Sequence, residues 1–372
     1  MNVPASQPLT LSPRYLRRLV IVTDAWTPQT NGVVTTLQSV IAHLGALGVA
    51  TSVIHPGLFK SVPLPGYREI PIVINPQRLT RMLDALEADA VHIATEGSLG
   101  LAARRLMVKR GRAFTTSLHT KFPEYFNERV HTPLSLGYRI IRWFHRPAAR
   151  TLCTTASHCA ELERRGLSNL VVWGRGVDTD AFVPDPDRRT GARPRLLYVG
   201  RVSVEKNLEA FLSLDLKADK VVVGDGPARA VLERRYPQVQ WLGFRKGAEL
   251  VTEYAAADAF VFPSRTDTFG LVMLEANACG TPVAAYPVTG PKDVVIPGVN
   301  GALDVDLGTA VRRALLVSRA SCRRHALENG WRRIAERFVA ALVTTDGIPS
   351  VDPLHARTDN GPPWQPRIST PY

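Results

Sequence analysis

Pro263-Ser264-Arg265-Thr266-Asp267-Thr268-Phe269-Gly270-Leu271-Val272-Met273-Leu274-Glu275-Ala276-Asn277-Ala278-Cys279-Gly280-Thr281-Pro282-Val283 is the stretch from which the fold can be read. It reads as a strand end, a polar turn, a helix and the start of another strand. Thr268 is a good N-cap, and Gly270 leaves bare backbone at the helix start. Gly280 supplies the left-handed position just past the helix, and Thr281-Pro282 prevents continuation. An open helix start has unpaired N–H groups and a partial positive charge, so Phe269-Gly270-Leu271 is suited to hold a phosphate. Asp267 sits just before the helix, beside the phosphate end, and Glu275 lies two turns in, where it reaches further along a ligand. A carboxylate beside a phosphate site serves mainly to grip hydroxyls, so the expected ligand is a sugar phosphate or nucleotide sugar. The spacing alone also fits an ordinary buried αβ unit in which Asp267 caps and Glu275 is solvated.

At 372 residues the chain is long enough for two domains with a core each. Its formal net charge of +13 is uneven: residues 1–190 hold 23 Lys+Arg against 14 Asp+Glu, and residues 191–372 hold 23 against 19. A basic first half suits an anionic partner such as a membrane surface or a phosphorylated acceptor, or else reflects solvated basic faces. Cys153, Cys159, Cys279 and Cys322 follow no metal spacing and are too sparse for a disulfide framework, which points to a reducing, cytoplasmic setting. No run approaches the roughly 20 apolar residues of a membrane span, and residues 1–18 have no signal-peptide core. Any membrane contact is therefore expected to be peripheral.

After a loose leader, Arg18–Thr23 reads as an almost wholly apolar strand of a parallel sheet. It runs through Asn31-Gly32 into a helix over about 33–47, and a glycine at such a turn lets backbone approach a ligand. Strands follow at Ala50–His55, Ala90–Ile93, Ala113–Leu118, Leu152–Ala156 and Leu170–Trp173, with helices near 76–88, 98–110 and 157–166. That alternation argues for a doubly wound parallel sheet with ligand crevices at the carboxyl ends of its strands. Two loops leave those ends with polar residues: His92 to Gly97, and Ser117 to Tyr125 with His119. Arg139, Arg142, Arg146 and Arg150, spaced three, four and four, predict a basic stripe on a helix beside Trp143 and Phe144. Such a helix either lies on an anionic bilayer or faces a core with its basic side solvated.

The second half opens with a strand at Arg195–Val199 and a turn in which Arg201 and Lys206 are placed to neutralise a diphosphate. Gly224-Asp225-Gly226 mimics a dinucleotide loop, but Arg229 stands where a small residue is required, which rejects that reading. Strands at Lys220–Val223, Gln240–Gly243 and Ala259–Pro263 and a helix over 246–256 complete a second α/β unit. Helices near 305–318 and 321–342 follow, the latter with an apolar stripe of Trp331, Ile334, Phe338 and Leu342. The Pro-rich, aperiodic chain from about Thr344 is expected to lack structure.

Several of these motifs together resemble the retaining glycosyltransferases of family 4. The opening stretch resembles their donor-site signature of two carboxylates eight positions apart, with Asp267 in place of the first Glu. Gly200-Arg201-Val202-Ser203-Val204-Glu205-Lys206-Asn207 matches every fixed position of their Gly-Arg-x-x-x-Glu-Lys-Asn pattern. His119-Thr120-Lys121-Phe122-Pro123-Glu124-Tyr125 is similar to the loop of the lipid-glycosylating members, and Gly174 to Phe182 to the family's interdomain crossing.

The resemblance implies an α/β fold of GT-B type, with two Rossmann-like domains facing across a cleft. The boundaries expected are a leader over 1–17, an acceptor domain over 18–185, a donor domain over 186–325, a returning helix over 326–343 and a tail over 344–372. It implies transfer of a hexose from GDP-mannose or a UDP-hexose with retention, without a metal or other cofactor. Gly32, Arg201, Lys206, Phe269, Gly270 and Leu271 would hold the donor diphosphate; Asp267 and His119 the sugar; and Glu275 the ribose. The acceptor expected is a lipid such as diacylglycerol at the inner membrane face, with Arg139, Arg142, Trp143 and Arg146 against the anionic surface. The alternatives are a saccharide or polyprenyl-linked acceptor, a sugar-nucleotide epimerase and a non-catalytic nucleotide-sugar-binding protein. No nucleic-acid partner is expected, and oligomeric state is left open.

Overall fold

The computed structural model describes residues 14–29, 32–64, 67–119, 133–188, 191–265, 267 and 269–351. Twelve strands form two six-stranded parallel sheets. The first holds β1 (Arg18–Val22), β2 (Ala50–Ile54), β3 (Ala90–Ile93), β4 (Thr115–Leu118), β5 (Arg150–Cys153) and β6 (Leu170–Val172) in the order β2-β1-β3-β4-β5-β6. The second holds β7 (Arg195–Val199), β8 (Asp219–Val223), β9 (Gln240–Gly243), β10 (Ala259–Phe262), β11 (Val283–Ala285) and β12 (Gly301–Leu303) in the order β9-β8-β7-β10-β11-β12. The two orders differ on one side, where two strands lie beyond β7 but only one beyond β1, and each reverses at one strand pair, β1/β3 and β7/β10. A crevice opens outside the carboxyl ends of the strands at such a reversal. The strands read as apolar runs because both faces are covered: β3, β4 and β10 are buried at every residue.

The chain passes between the lobes twice, and the two passages lie side by side. Val177 N–H donates to the Asn329 carbonyl at 3.1 Å, and Trp331 N–H to the Val177 carbonyl at 3.3 Å. Arg323 reinforces the junction by donating to the carbonyls of Thr179, Phe182 and Ala278. The single helix expected over 321–342 is two, Arg319–Leu327 and Trp331–Ala341. The break falls where Gly330 takes an extended conformation (φ −65°, ψ 153°) to bridge Val177. The apolar stripe of the last helix then enters the first lobe. Trp331, Ile334, Phe338 and Leu342 share one buried cluster with Leu19, Ile21, Leu37, Val40 and Trp173.

Both ends of the described chain depart from expectation. Arg14–Tyr15 and Ser350–Val351, placed in a loose leader and a structureless tail, pair as two short parallel strands. Thr345 N–H donates to the Asp89 carbonyl at 2.8 Å, and its own carbonyl accepts from Ala113 N–H at 3.1 Å. The backbone groups thereby satisfied outweigh the polar composition. The rest of the expected tail, from 352, lies outside the described residues.

Where the passages touch, a Cβ built on Gly176 would stand 2.7 Å from the Trp331 ring and 2.9 Å from its Cα. Gly176→Ala is expected to destabilise the protein by about 1–3 kcal/mol, the usual cost of overpacking. Chemical denaturation checks it; an unchanged midpoint would mean the passages separate freely.

Candidate active site

The carboxyl ends of both sheets supply the site. In the first lobe, Asp24 follows β1 and is buried. Its carboxylate accepts from Thr95 Oγ1 at 3.0 Å, Ser98 Oγ at 3.0 Å, Leu99 N–H at 2.8 Å and Gly100 N–H at 3.1 Å. It therefore fills the open start of helix Ser98–Lys109, an end that would otherwise hold an anion. Burial raises its pKa, and the hydrogen bonds offset part of that rise. Sequence reasoning missed Asp24, although an Asp at the carboxyl end of a strand was the available signal.

Gly32 opens helix Gly32–Leu44, one residue earlier than expected, and its neighbour Asn31 lies outside the described residues. The Gly32 carbonyl accepts from Arg175 Nη1 at 2.9 Å and Thr36 Oγ1 at 2.6 Å. His119 follows β4, 6% exposed, with its ring edge-on to Trp173 at 5.9 Å. Neither ring nitrogen meets a hydrogen-bond partner among the described residues. Burial, then the nearby Arg175 charge and His92, hold its pKa well below the ordinary histidine value, so the imidazole is neutral at pH 7. Lys121, Glu124 and Tyr125 of the same loop lie outside the described residues.

In the second lobe, the turn after β7 and the loop after β10 are joined. Lys206 Nζ donates to Asp267 Oδ1 at 2.5 Å, and Asn207 Nδ2 to the Pro263 carbonyl at 3.1 Å. Asp267 Oδ2 is buried without a partner among the described residues, which leaves one carboxylate oxygen to be satisfied. Arg201 is exposed, and its carbonyl accepts from Tyr198 Oη at 2.8 Å. Gly224 and Gly226 are spacers between loops: a Cβ on them would stand 1.9 Å from the Gly200 carbonyl oxygen and 2.3 Å from that of Val202. Close packing of the two loops is thus a physical reason for glycine at both positions of this dinucleotide-like loop.

Helix Leu271–Ala278 starts from Gly270, whose φ of +83° and ψ of 73° suit glycine. Gly270 thus stands at the cap position; Thr268, expected there, lies outside the described residues. Phe269 is buried, and the half-buried Leu271 reaches across to the first-lobe cluster that also receives Val33. The neighbours of Gly270 and Gly32, Leu271 and Val33, thus both pack against that one cluster. Glu275 Oε2 accepts from Tyr254 Oη at 2.8 Å. Glu275 is still reached by solvent but is surrounded by protein, and burial raises its pKa.

The expected basic stripe is corrected in part. Helix Leu134–His145 buries Tyr138, Ile141 and Phe144, and exposes Arg139, Arg142 and, at its end, Arg146. Between these cations Ile140 is 54% and Trp143 50% exposed. Arg150 is not on this helix: it begins β5 and donates to the Ala340 carbonyl at 2.9 Å. Among the described residues no helix is long and apolar enough to cross a membrane. Nor does any group of three His, Cys, Asp or Glu there have the arrangement to hold a metal ion.

Comparison with known proteins follows this division of the chain. Residues 30–181 match the family described as Glycosyltransferase Family 4, and residues 193–315 the one described as Glycosyl transferases group 1. A GDP-mannose-dependent alpha-mannosyltransferase of Mycolicibacterium smegmatis is 31% identical over 362 residues, 87% of this chain and 96% of that protein. The chain belongs to glycosyltransferase family 4. Another member is the GDP-mannose-dependent alpha-(1-6)-phosphatidylinositol dimannoside mannosyltransferase of Mycobacterium tuberculosis. It is 28% identical over 386 residues, 87% of this chain and 96% of that protein. The fold is that of GT-B glycosyltransferases: a sucrose-phosphate synthase structure from Thermosynechococcus elongatus superposes with a TM-score of 0.70 at 19% identity, covering 87% of this chain and 97% of that one.

The raised pKa of Glu275 sets a pH dependence. An acid with a raised folded pKa destabilises the protein when it ionises, so the cost is absent below its ordinary value of 4.5 and grows as pH rises. Glu275→Gln is expected to be more stable than the unmodified protein at pH 8, the difference vanishing near pH 4. Denaturant midpoints at the two pH values test this; equal differences would place the carboxylate in open water.

Proposed function

We propose that this family-4 enzyme transfers a hexose, with mannose from GDP-mannose as the first candidate, to a lipid acceptor at the inner face of the cytoplasmic membrane, with retention of configuration. The observation that carries the reading is the Lys206–Asp267 pair, which joins the turn after β7 to the loop that leads into the Gly270 helix start: a cation, a hydroxyl-gripping carboxylate and an anion-binding helix end at one switch point. The names of the relatives supply the donor, and one of them also names a phosphatidylinositol acceptor.

Breaking the sugar–phosphate bond builds negative charge on the departing diphosphate. Arg201, Lys206, the backbone N–H groups at Phe269-Gly270-Leu271 and the Gly32 helix start are fixed positive groups that stabilise it, more in the transition state than before. Lys206, held by Asp267, is placed for the phosphate, and the open oxygen of Asp267 for the sugar hydroxyls. Tyr254 holds one oxygen of Glu275, leaving the other for the ribose. Neutral His119 orients the sugar from the first lobe. The acceptor hydroxyl attacks on the face the diphosphate leaves, forming the new glycosidic bond as the old one breaks, and the diphosphate takes its proton. Closure about the paired passages, with Ser157 N–H donating to Asp293 Oδ1 at 2.9 Å across the lobes, excludes water and suppresses hydrolysis.

The exposed face of Arg139, Arg142, Trp143 and Arg146 supports the lipid acceptor, since cations flanking half-exposed apolar side chains suit an anionic bilayer surface.

Two outcomes are expected. Lys206→Ala is expected to lower transfer by about 10²–10³-fold, the usual loss when one such group is removed; wild-type transfer in a folded variant would refute the donor site. Replacing Arg139, Arg142 and Arg146 together with Gln removes about 1 kcal/mol each at an anionic surface. Binding to phosphatidylserine vesicles in flotation at low salt is expected to fall roughly a hundredfold. Failure of the unmodified protein to float would turn the acceptor reading to a soluble or polyprenyl-linked saccharide.

A further inference from the structure

Arg175 lies on the first passage between the lobes and is 6% exposed. Burial lowers its pKa to about 10, so it is charged at neutral pH. Nevertheless it has no carboxylate partner among the described residues. Nη1 donates to the Gly32 carbonyl at 2.9 Å and to Thr36 Oγ1 at 2.5 Å, while Nε is buried without an acceptor.

Other arginines at least partly withdrawn from water are met more fully: Arg188 pairs with Asp258 and Arg195 with Glu253, and three more each donate to two or three main-chain carbonyls. Arg104 donates to those of Trp143 and Phe144, Arg319 to those of Ala255, Ala257 and Cys279, and Arg323 to three at the lobe junction. Arg175 instead sits at the start of helix Gly32–Leu44. That is the positive end of the helix, where a cation is disfavoured. A buried cation so placed costs stability unless an anion completes it. Val33, beside Gly32, and Leu271, beside Gly270, pack against one cluster, which also holds Trp173 of the same passage, on which His119 packs.

We propose that Arg175 is an anion-binding residue of the donor cleft, that the diphosphate of the nucleotide sugar is its missing counter-charge, and that its hold on Gly32 sets the first helical turn against the same group. The proposal rests on the reading of the protein as a nucleotide-sugar transferase. It adds to the two cations of the second lobe a third from the opposite wall, so the diphosphate is held from both sides only when the lobes meet.

Calorimetric titration of the full chain with GDP and with UDP tests it, comparing wild type with Arg175→Gln and Arg175→Lys. Wild type is expected to bind one of the two. Arg175→Gln should weaken that nucleotide about tenfold or more while leaving competition by its uncharged nucleoside unchanged, and Arg175→Lys should recover part of the loss. A structural role would weaken nucleoside and nucleotide alike, and that result would overturn the proposal, as would full affinity in Arg175→Gln. Binding of neither nucleotide by wild type would overturn the transferase reading and this proposal with it. Should Arg175→Gln fail to fold, the Nε–H resonance of Arg175 in selectively labelled wild type decides the matter. It must shift when the nucleotide is added, and an unmoved resonance overturns the assignment.

Discussion

The burial of one helix in a lobe that is not its own holds this molecule together. Helix Trp331–Ala341 follows the donor lobe in sequence, yet its apolar stripe is packed in the first lobe. Phe338 lies edge-on to His92 at 4.9 Å and tilted against Trp173 at 5.1 Å. Removing an aromatic of that kind from a core costs about 3–5 kcal/mol, so the return passage is bound tightly. Because the outgoing passage runs beside it through Val177 and Gly330, both lobes hinge on one narrow joint.

That joint determines what stands in the gap. Trp173 and Arg175 are two residues apart on the outgoing passage; one supports His119 and the other grips the Gly32 turn. Leu271, next to the Gly270 helix start, rests on the same cluster as Trp331. Trp173 and Leu271 therefore tie the surroundings of His119 and of the Gly270 helix start to the joint. Among the described residues, both ring nitrogens of His119, one oxygen of Asp267 and the Nε–H of Arg175 are buried without a hydrogen-bond partner. Buried polar groups left open in this way are costly in an interior.

The amino-acid sequence determined the local elements well. β1, β3, β7 and β10 lie within one residue of the bounds expected, because apolar runs of four or five residues between turn signals leave little choice for a strand covered on both faces. It also made Lys206, Asp267 and Glu275 candidates, since charged residues in turns and in a short apolar helix stand out against their background. Tertiary structure decided what local pattern does not encode. It broke the last long helix at Gly330, because that residue must bridge Val177. It ordered 344–351 through backbone bonds to Asp89 and Ala113 more than 200 residues away in the chain. It also turned Arg150 inward to the Ala340 carbonyl, off the stripe that residue spacing had drawn. Asp24 and Arg175 escaped notice for the same reason. The importance of each lies in partners more than 70 residues distant, and only a folded chain brings such groups within reach.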